Sequence, residues 1–235
     1  MPLMQIGAGD CEAIRAGFWG QPVSTLSALA FFAVGVWVVR LVPRSHGRRI
    51  EVGLFAATLF ANGVGSLLYH GPRPEGALWL HDLAIATFLG LVVAVDAEAL
   101  VGRRGPGLAA YAAVIAAAGL LLFAAPDAQR PLFTVLGVSA GALELVSWRR
   151  GLRPHPMEGP TPRVIAWLGG LVVLTLGGIA FFLGRNSSPF CDPSSLLQWH
   201  AVWHLLEAAA MATYVRVAVV PTPESWSGST PRPAE

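Results

Sequence analysis

The chain has 235 residues, of which 54% are hydrophobic and only 13% charged, and its formal net charge is +2. A soluble domain carries about 25% charged residues, so this composition argues against a soluble protein and indicates a membrane protein with several spans. All 16 basic residues are arginine, and they form no compact patch with interleaved aromatics. Nucleic acid is therefore not an expected partner.

Seven apolar segments are long enough to cross a bilayer, which takes about 20 residues per helix. They are Pro22–Leu41, Ile50–His70, Ala77–Leu100, Gly107–Ala125, Pro131–Trp148, Arg163–Leu183 and Ser195–Val219. We therefore predict an all-α fold, a seven-transmembrane helix bundle that occupies residues 1–220. The stretch before the first span lacks the apolar run of a signal peptide, so insertion through that span is expected. Residues 221–235 are rich in Pro, Ser and Thr, which predicts a disordered tail.

The distribution of arginine predicts the orientation of this bundle, because cytoplasmic loops carry an excess of basic residues. The loops after the first, third and fifth spans hold most of the loop arginines. These are Arg44, Arg48, Arg49, Arg103, Arg104, Arg149, Arg150 and Arg153. The N-terminus is therefore predicted to lie outside and the C-terminus, with its tail, in the cytoplasm.

Two histidines stand four residues apart at the start of the last span, at His200 and His204. This spacing places both imidazoles on one face of a helix, where they can share a metal ion. In the predicted orientation, His70 at the end of span 2 and Asp82 near the start of span 3 lie at a similar depth, near the outer face. Ionisable groups within a membrane are costly and commonly functional, so the four residues are interpreted as one site.

Three histidines from different spans suit a catalytic zinc ion, which commonly has three protein ligands and lowers the pKa of bound water to about 7. His70, His200 and His204 are the predicted ligands. Asp82 is predicted to orient the water, to act as general base, or to hold a ligand imidazole. Ser66, one turn before His70, is predicted to reach the water or an oxyanion.

Three further residues have open interpretations. Glu207 follows His204 by three residues and is either an acid beside the ligands, a proton carrier, or a group that pairs elsewhere. Cys11 and Cys191 both fall outside, where an oxidising compartment permits a disulfide; the alternative is two independent small residues. Haem is disfavoured. His200 and His204 would each bind a separate bis-histidine haem, and the two haems would need two further histidines, whereas only His70 is well placed.

The ordered motifs resemble a known family. Residues 63–70, which contain Ser66 and end at His70, are similar to the Ser-xxx-His motif of span 2 in the alkaline ceramidase, Per1 and progestin/adipoQ-receptor superfamily. Asp82 resembles the span-3 aspartate of that superfamily. Residues 198–206 resemble its last-span His-xxx-His motif and are closest to the ceramidase branch. The likeness covers the two ends of the chain and the first three spans.

The N-terminal stretch extends the resemblance, since Cys11-Glu12 and residues 21–27 are similar to the ceramidase segment that leads into the first helix. A disulfide from Cys11 to the loop before the last span is implied. The ceramidases also bind calcium through acids of this stretch, and here Glu12 matches one of them and Asp10 lies close by. Ile14 and Gln21 stand where other ligands are expected, which argues against calcium.

The resemblance implies a zinc-dependent hydrolase that cleaves the amide bond of a ceramide-like N-acyl lipid, with the substrate entering laterally from the membrane. The composition suggests a GC-rich bacterium, hence an inner-membrane protein whose native lipid need not be ceramide. A non-catalytic or receptor-like seven-helix protein with a structural zinc is the alternative. A transporter is less favoured, because the ionisable residues gather at one depth and no internal repeat is present.

Overall fold

The protein folds into a bundle of helices. The structure, a computed structural model, describes residues 6–45, 47–102, 106–154 and 161–220. The helices are α1 (Pro22–Ser27), α2 (Leu29–Val39), α3 (Arg49–His70), α4 (Ala77–Val101), α5 (Pro106–Ala124), α6 (Gln129–Arg149), α7 (Pro162–Leu183) and α8 (Trp199–Tyr214). The described residues contain no β-strand, so the predicted all-α class is confirmed. The predicted tail, residues 221–235, and the arginine pair at 103–104 lie outside the described residues.

Six helical stretches in the described part of the chain are long and apolar enough to cross a membrane, as expected of a multi-pass membrane protein. They are Pro22–Arg44, Arg49–His70, Ala77–Val101, Gly107–Ala124, Pro126–Arg149 and Pro162–Leu183. The first stretch combines α1, α2 and the short 3-10 helix Val42–Arg44, with a break at Ala28.

The seventh predicted span is shorter than expected. Helix α8 has 16 residues and continues as a π-helical turn, Val215–Val219. It begins at Trp199 instead of Ser195, because Ser195 belongs to a turn of its own. The Ser195 carbonyl accepts a hydrogen bond from Nε2 of Gln198 at 2.7 Å, and its hydroxyl accepts one from the Leu197 amide at 3.0 Å.

Helix α4 lies near the centre of the bundle, where it packs against α3, α5 and α6. On the other side, α8 packs against α7 and α2. Buried apolar side chains join α2, α3, α4 and α8 in one core, including Phe31, Phe55, Leu59, Leu91 and Val215. Burial of such side chains is worth about 1.5–3 kcal/mol each relative to water, although in a bilayer packing and polar contacts contribute more.

One end of the bundle contains the three histidines that are predicted to bind a metal. It comprises the N-terminal segment 6–21, the end of α3, the start of α4, the α7–α8 loop and the start of α8, and we name it the histidine end. Two glycines allow the close approaches made there. A Cβ on Gly65 would stand 2.9 Å from Cα of His81, and one on Gly184 would stand 2.6 Å from the amide nitrogen of His200.

Candidate metal centre

Three histidines from two helices meet at the histidine end. His70 is the last residue of α3, while His200 and His204 lie in the first two turns of α8. Their exposed fractions are 0%, 3% and 0%, and each offers a ring nitrogen within 4.8 Å of the other two. The three predicted ligands therefore form a buried group that could hold a metal ion.

The spacing of the ring nitrogens fits a shared metal. Nε2 of His70 and Nε2 of His200 are 3.2 Å apart, and two nitrogens bound to one tetrahedral metal at 2.0–2.1 Å stand about 3.3 Å apart. Nε2 of His204 is buried and has no hydrogen-bond partner among the described residues. A buried polar atom without a partner is costly, and a metal ion would satisfy it.

The side chain of Gln21 fixes the tautomer of His70. Its Oε1 lies 2.7 Å from Nδ1 of His70, and its Nε2 donates to the carbonyls of Gly7 and Glu12 at 3.1 and 2.9 Å. Because the amide nitrogen is committed to these carbonyls, Oε1 accepts the Nδ1 proton. Nε2 of His70 is thereby left as the ligand atom.

Ser27 does the same for His204. Its Oγ donates to the carbonyl of Ser24 at 2.8 Å and lies 2.8 Å from Nδ1 of His204. Since the hydroxyl proton is used on the carbonyl, the oxygen accepts from Nδ1–H. Nε2 of His204 is again the free atom.

Asp10 faces the third histidine. Its Oδ1 lies 3.3 Å from Nδ1 of His200 and accepts a hydrogen bond from Arg185 at 2.8 Å. Burial raises the pKa of Asp10 to about 6, against the opposing effects of Arg185 and His81. Nδ1 of His70 and Nδ1 of His204 thus each have a hydrogen-bond partner from residues 21–27, while Nδ1 of His200 faces Asp10 without a hydrogen bond among the described residues.

The residues predicted as possible calcium ligands are used otherwise. Asp10 contacts Arg185 and His200, as described above. Glu12 accepts hydrogen bonds from the amides of Val23 and Ser24 at 2.7 and 2.8 Å and so caps the N-terminus of α1. The Asp10 carboxyl group therefore faces a candidate ligand, and the Glu12 carboxyl group holds the N-terminal segment against α1.

The N-terminal segment is fastened to the α7–α8 loop. Cys11 and Cys191 lie at disulfide distance, with Cα atoms 5.4 Å apart, which agrees with the predicted pairing. The Cys11 amide also donates to the carbonyl of Gly184 at 2.8 Å. The segment that orients the ligands is thus held to the loop that leads into α8.

Asp82 lies at the same end but makes no hydrogen bond or ion pair with His70, His200 or His204 among the described residues. Its buried carboxylate accepts a hydrogen bond from Nδ1 of His81 at 2.9 Å, and the amide of Gln129, with its nitrogen turned toward the carboxylate, donates to it as well. The His81 ring stacks on Tyr69 with centroids 4.4 Å apart and stands 6.2 Å from the His70 ring. Nε2 of His81 is buried and has no hydrogen-bond partner in the described part of the chain.

Ser66 is buried on α3, one turn before His70, as the sequence predicts. No hydrogen bond joins its hydroxyl to a ligand histidine within the described residues. A role for Ser66 in the reaction stays a prediction.

Glu207 is placed one turn after His204 but contacts none of the three histidines among the described residues. It lines an apolar cavity of about 620 Å³ between α4, α6, α7 and α8. The cavity opens at the surface of the bundle, where the lining residues Leu145 and Leu174 are 46% and 56% exposed. Glu207 therefore lines the cavity and does not pair with one of the three histidines.

Comparison with protein-family models, curated proteins and solved structures finds no match to this chain.

Sequence reasoning missed the parts played by Gln21 and Ser27. A signal for them was present, since both are polar and stand at the start of an apolar span, where a polar side chain commonly faces the bundle interior. Which histidine each one contacts depends on how the first span packs on α3 and α8. Only the folded structure gives that packing.

Proposed function

We propose that the protein is an integral-membrane, zinc-dependent hydrolase that cleaves the amide bond of a ceramide-like N-acyl lipid. The observation that carries the proposal is the convergence of three buried Nε2 atoms, each on an imidazole whose Nδ1 faces a separate partner. The ordered motifs of the alkaline ceramidase superfamily support the same reading.

Zinc is the metal that this donor set suits best. Three neutral imidazoles with partners on their second nitrogens are typical of catalytic zinc sites, which keep one position open. Bound there, zinc would supply Lewis acidity and make water nucleophilic at neutral pH. The chain's own contribution is to fix the tautomers of His70 and His204 and to bury all three imidazoles.

The cavity supports a lipid as the substrate. Glu207, one turn after His204, is one of its lining residues, and the lining is almost entirely apolar. Its opening between exposed leucines suits a chain that enters sideways from the membrane. The acyl chain would occupy the cavity, and its carbonyl group would lie at the histidines.

Asp82 and His81 are assigned the proton transfer. Asp82 holds Nδ1 of His81, and Nε2 of His81 is buried without a described partner. In the proposal, the Asp82–His81 pair takes a proton from the attacking water and returns it to the leaving amine. Ser66, one turn from His70, would donate a hydrogen bond to the carbonyl oxygen as negative charge develops there.

In this proposal the histidine end faces the outside and the C-terminus faces the cytoplasm of a bacterium. The arginine-rich loops at the opposite end carry this orientation. An outward-facing histidine end is consistent with the Cys11–Cys191 pair, because disulfides persist in oxidising compartments.

A structural metal is the alternative function. The ligands join α3 to α8 and are at most 3% exposed, which also suits a metal that holds helices together without turnover. The two functions differ in whether the protein releases fatty acid.

The first test is metal content together with fatty-acid release from a panel of N-acyl lipids. Purified wild-type protein is expected to hold about one zinc per chain and to release fatty acid. His204→Ala is expected to lose both, whereas Thr175→Ala, which changes an exposed hydroxyl bonded within α7, should keep both. A His204→Ala protein with wild-type zinc content would sink the ligand assignment, and zinc without release would leave the structural role.

The second test separates Asp82 from metal binding. Asp82→Asn is expected to keep its zinc, because the carboxylate contacts none of the ligand histidines. It should lower the rate of release by about 10²–10⁴, the usual contribution of general acid–base catalysis. Full activity in this variant would remove Asp82 from the mechanism.

A further inference from the structure

One carboxyl group of the cavity, that of Glu207, takes no part in the proposed reaction. Glu207 makes no hydrogen bond or ion pair with another described residue. The second acid of the cavity, Glu144, accepts from Nε of Arg153 at 2.9 Å and from Nε1 of Trp167 at 3.2 Å. The two carboxyl groups in one cavity thus differ, and Glu207 is the one without a partner among the described residues.

Other polar groups of the lining also have partners. The Thr213 hydroxyl donates to the carbonyl of Ala209 at 2.9 Å, and the Tyr214 hydroxyl donates to Asp96 at 2.7 Å. These groups close their hydrogen bonds within the protein. An unpaired carboxyl group in apolar surroundings is costly, and within a membrane protein it commonly marks a functional site.

The position of Glu207 limits which part of a bound lipid its carboxyl group can contact. It follows His204 by three residues, which corresponds to about 4.5 Å along a helix. A chain whose carbonyl group lies at the histidines and whose tail enters the cavity passes Glu207 within its first few carbons. A polar group farther down the chain would meet the apolar lining instead.

We propose that the cavity binds a fatty acyl chain that carries a hydroxyl group close to its carbonyl carbon, and that Glu207 hydrogen-bonds this hydroxyl. A hydroxyl both donates and accepts, so it pairs with either protonation state of the carboxyl group. A protonated amine would bring a second charge into the apolar cavity, with the desolvation cost of a buried ion pair. The inference rests on the proposed function for the place of the carbonyl group, and it narrows the substrate to N-hydroxyacyl lipids.

Binding of free fatty acids tests this without requiring hydrolysis. The affinities of the purified full-length protein for myristic, 3-hydroxymyristic and 12-hydroxymyristic acid are measured by competition with radiolabelled myristic acid. The 3-hydroxy acid is expected to bind about tenfold more tightly than myristic acid, as one hydrogen bond to a carboxyl group provides. The 12-hydroxy acid should show no such advantage. Equal affinities for myristic and 3-hydroxymyristic acid would overturn the proposal.

Three variants assign the preference to Glu207. In Glu207→Leu the affinities for 3-hydroxymyristic and myristic acid are expected to become equal, while Glu207→Gln, which can still hydrogen-bond a hydroxyl, retains most of the tenfold advantage. Thr213→Val is the matched control in the same cavity and should keep the full advantage. A tenfold advantage that persists in Glu207→Leu would overturn the assignment. No amide bond is cleaved in this assay. A binding preference without hydrolase activity would therefore support this inference and not the proposed function, and hydrolase activity without the preference would do the reverse.

Discussion

An imidazole that binds a metal through one ring nitrogen is oriented by a partner on the other, and Gln21 and Ser27 are such partners of His70 and His204. Gln21, Ser27 and Asp10 face Nδ1 of His70, His204 and His200 at 2.7, 2.8 and 3.3 Å. Partners of this kind set the tautomer and the ring orientation, and they raise the basicity of the ligand. Metal affinity should therefore depend on residues that do not touch the metal.

Gln21 gives the sharpest test of that dependence. Gln21→Leu removes the acceptor for Nδ1 of His70 at a fully buried position, and we expect zinc affinity to fall about 10–100-fold. Gln21→Glu keeps an acceptor at this place but sets its second oxygen against the carbonyls of Gly7 and Glu12, so its zinc affinity should lie between those of wild type and the leucine variant. Affinity is measured by competition with a chromophoric chelator. If the leucine variant bound zinc as tightly as wild type, Gln21 would have no positioning role.

Three helices and a loop meet in a second polar cluster at the opposite end of the bundle. Arg153, just after α6, contacts Asp96 of α4 and Glu144 of α6, and Tyr214 of α8 donates to Asp96. Asp96 and Arg153 are 0% and 5% exposed. Both carboxylates lie on the same guanidinium group.

Arg153→Leu is expected to destabilise the protein strongly, because it leaves two carboxylates without their cation. Breaking a buried ion pair on one side costs about 3–5 kcal/mol, which should appear as a marked fall in the thermal midpoint in detergent. Arg150→Leu removes an exposed charge three residues away and serves as the control. Combining Arg153→Leu with Asp96→Asn should recover part of the loss, since one uncompensated charge is removed. Equal midpoints for the two leucine variants would show that the cluster contributes little.

The disulfide should act on the metal site through the N-terminal segment. Cys11 is adjacent to Asp10, and the pairing with Cys191 holds this segment on the α7–α8 loop. Reduction with a phosphine, which does not compete for zinc as thiols do, is expected to lower zinc affinity several-fold, because the partner of His200 is then less well held. The double variant Cys11→Ser/Cys191→Ser should show the lower affinity with or without reductant. Identical affinities of oxidised and reduced wild type would contradict the coupling.

At the scale of the whole molecule, the sequence predicts most of the bundle and the core of the site. Hydropathy locates the helices because a span needs about 20 apolar residues, and the spacing of His200 and His204 places both on one face. What the sequence does not predict depends on packing. The partners of the ligands come from a segment more than 40 residues before His70 and more than 170 before His200. Asp82 lies at the same end of the bundle as the histidines, but its contacts with His81 and Gln129 depend on how α4 packs on α6.

The orientation across the membrane is the remaining property of the whole molecule, and single cysteines test it. Both native cysteines are at disulfide distance, so a new thiol is the main site for labelling. Ser187→Cys lies in the α7–α8 loop at the histidine end, and Leu152→Cys lies after α6 at the opposite end. Because arginine-rich loops stay in the cytoplasm, a membrane-impermeant maleimide should label Ser187→Cys in intact cells and Leu152→Cys only after lysis. The reverse pattern would place the histidine end in the cytoplasm, where a disulfide is not maintained, and would contradict both the orientation and its coupling to the Cys11–Cys191 pair.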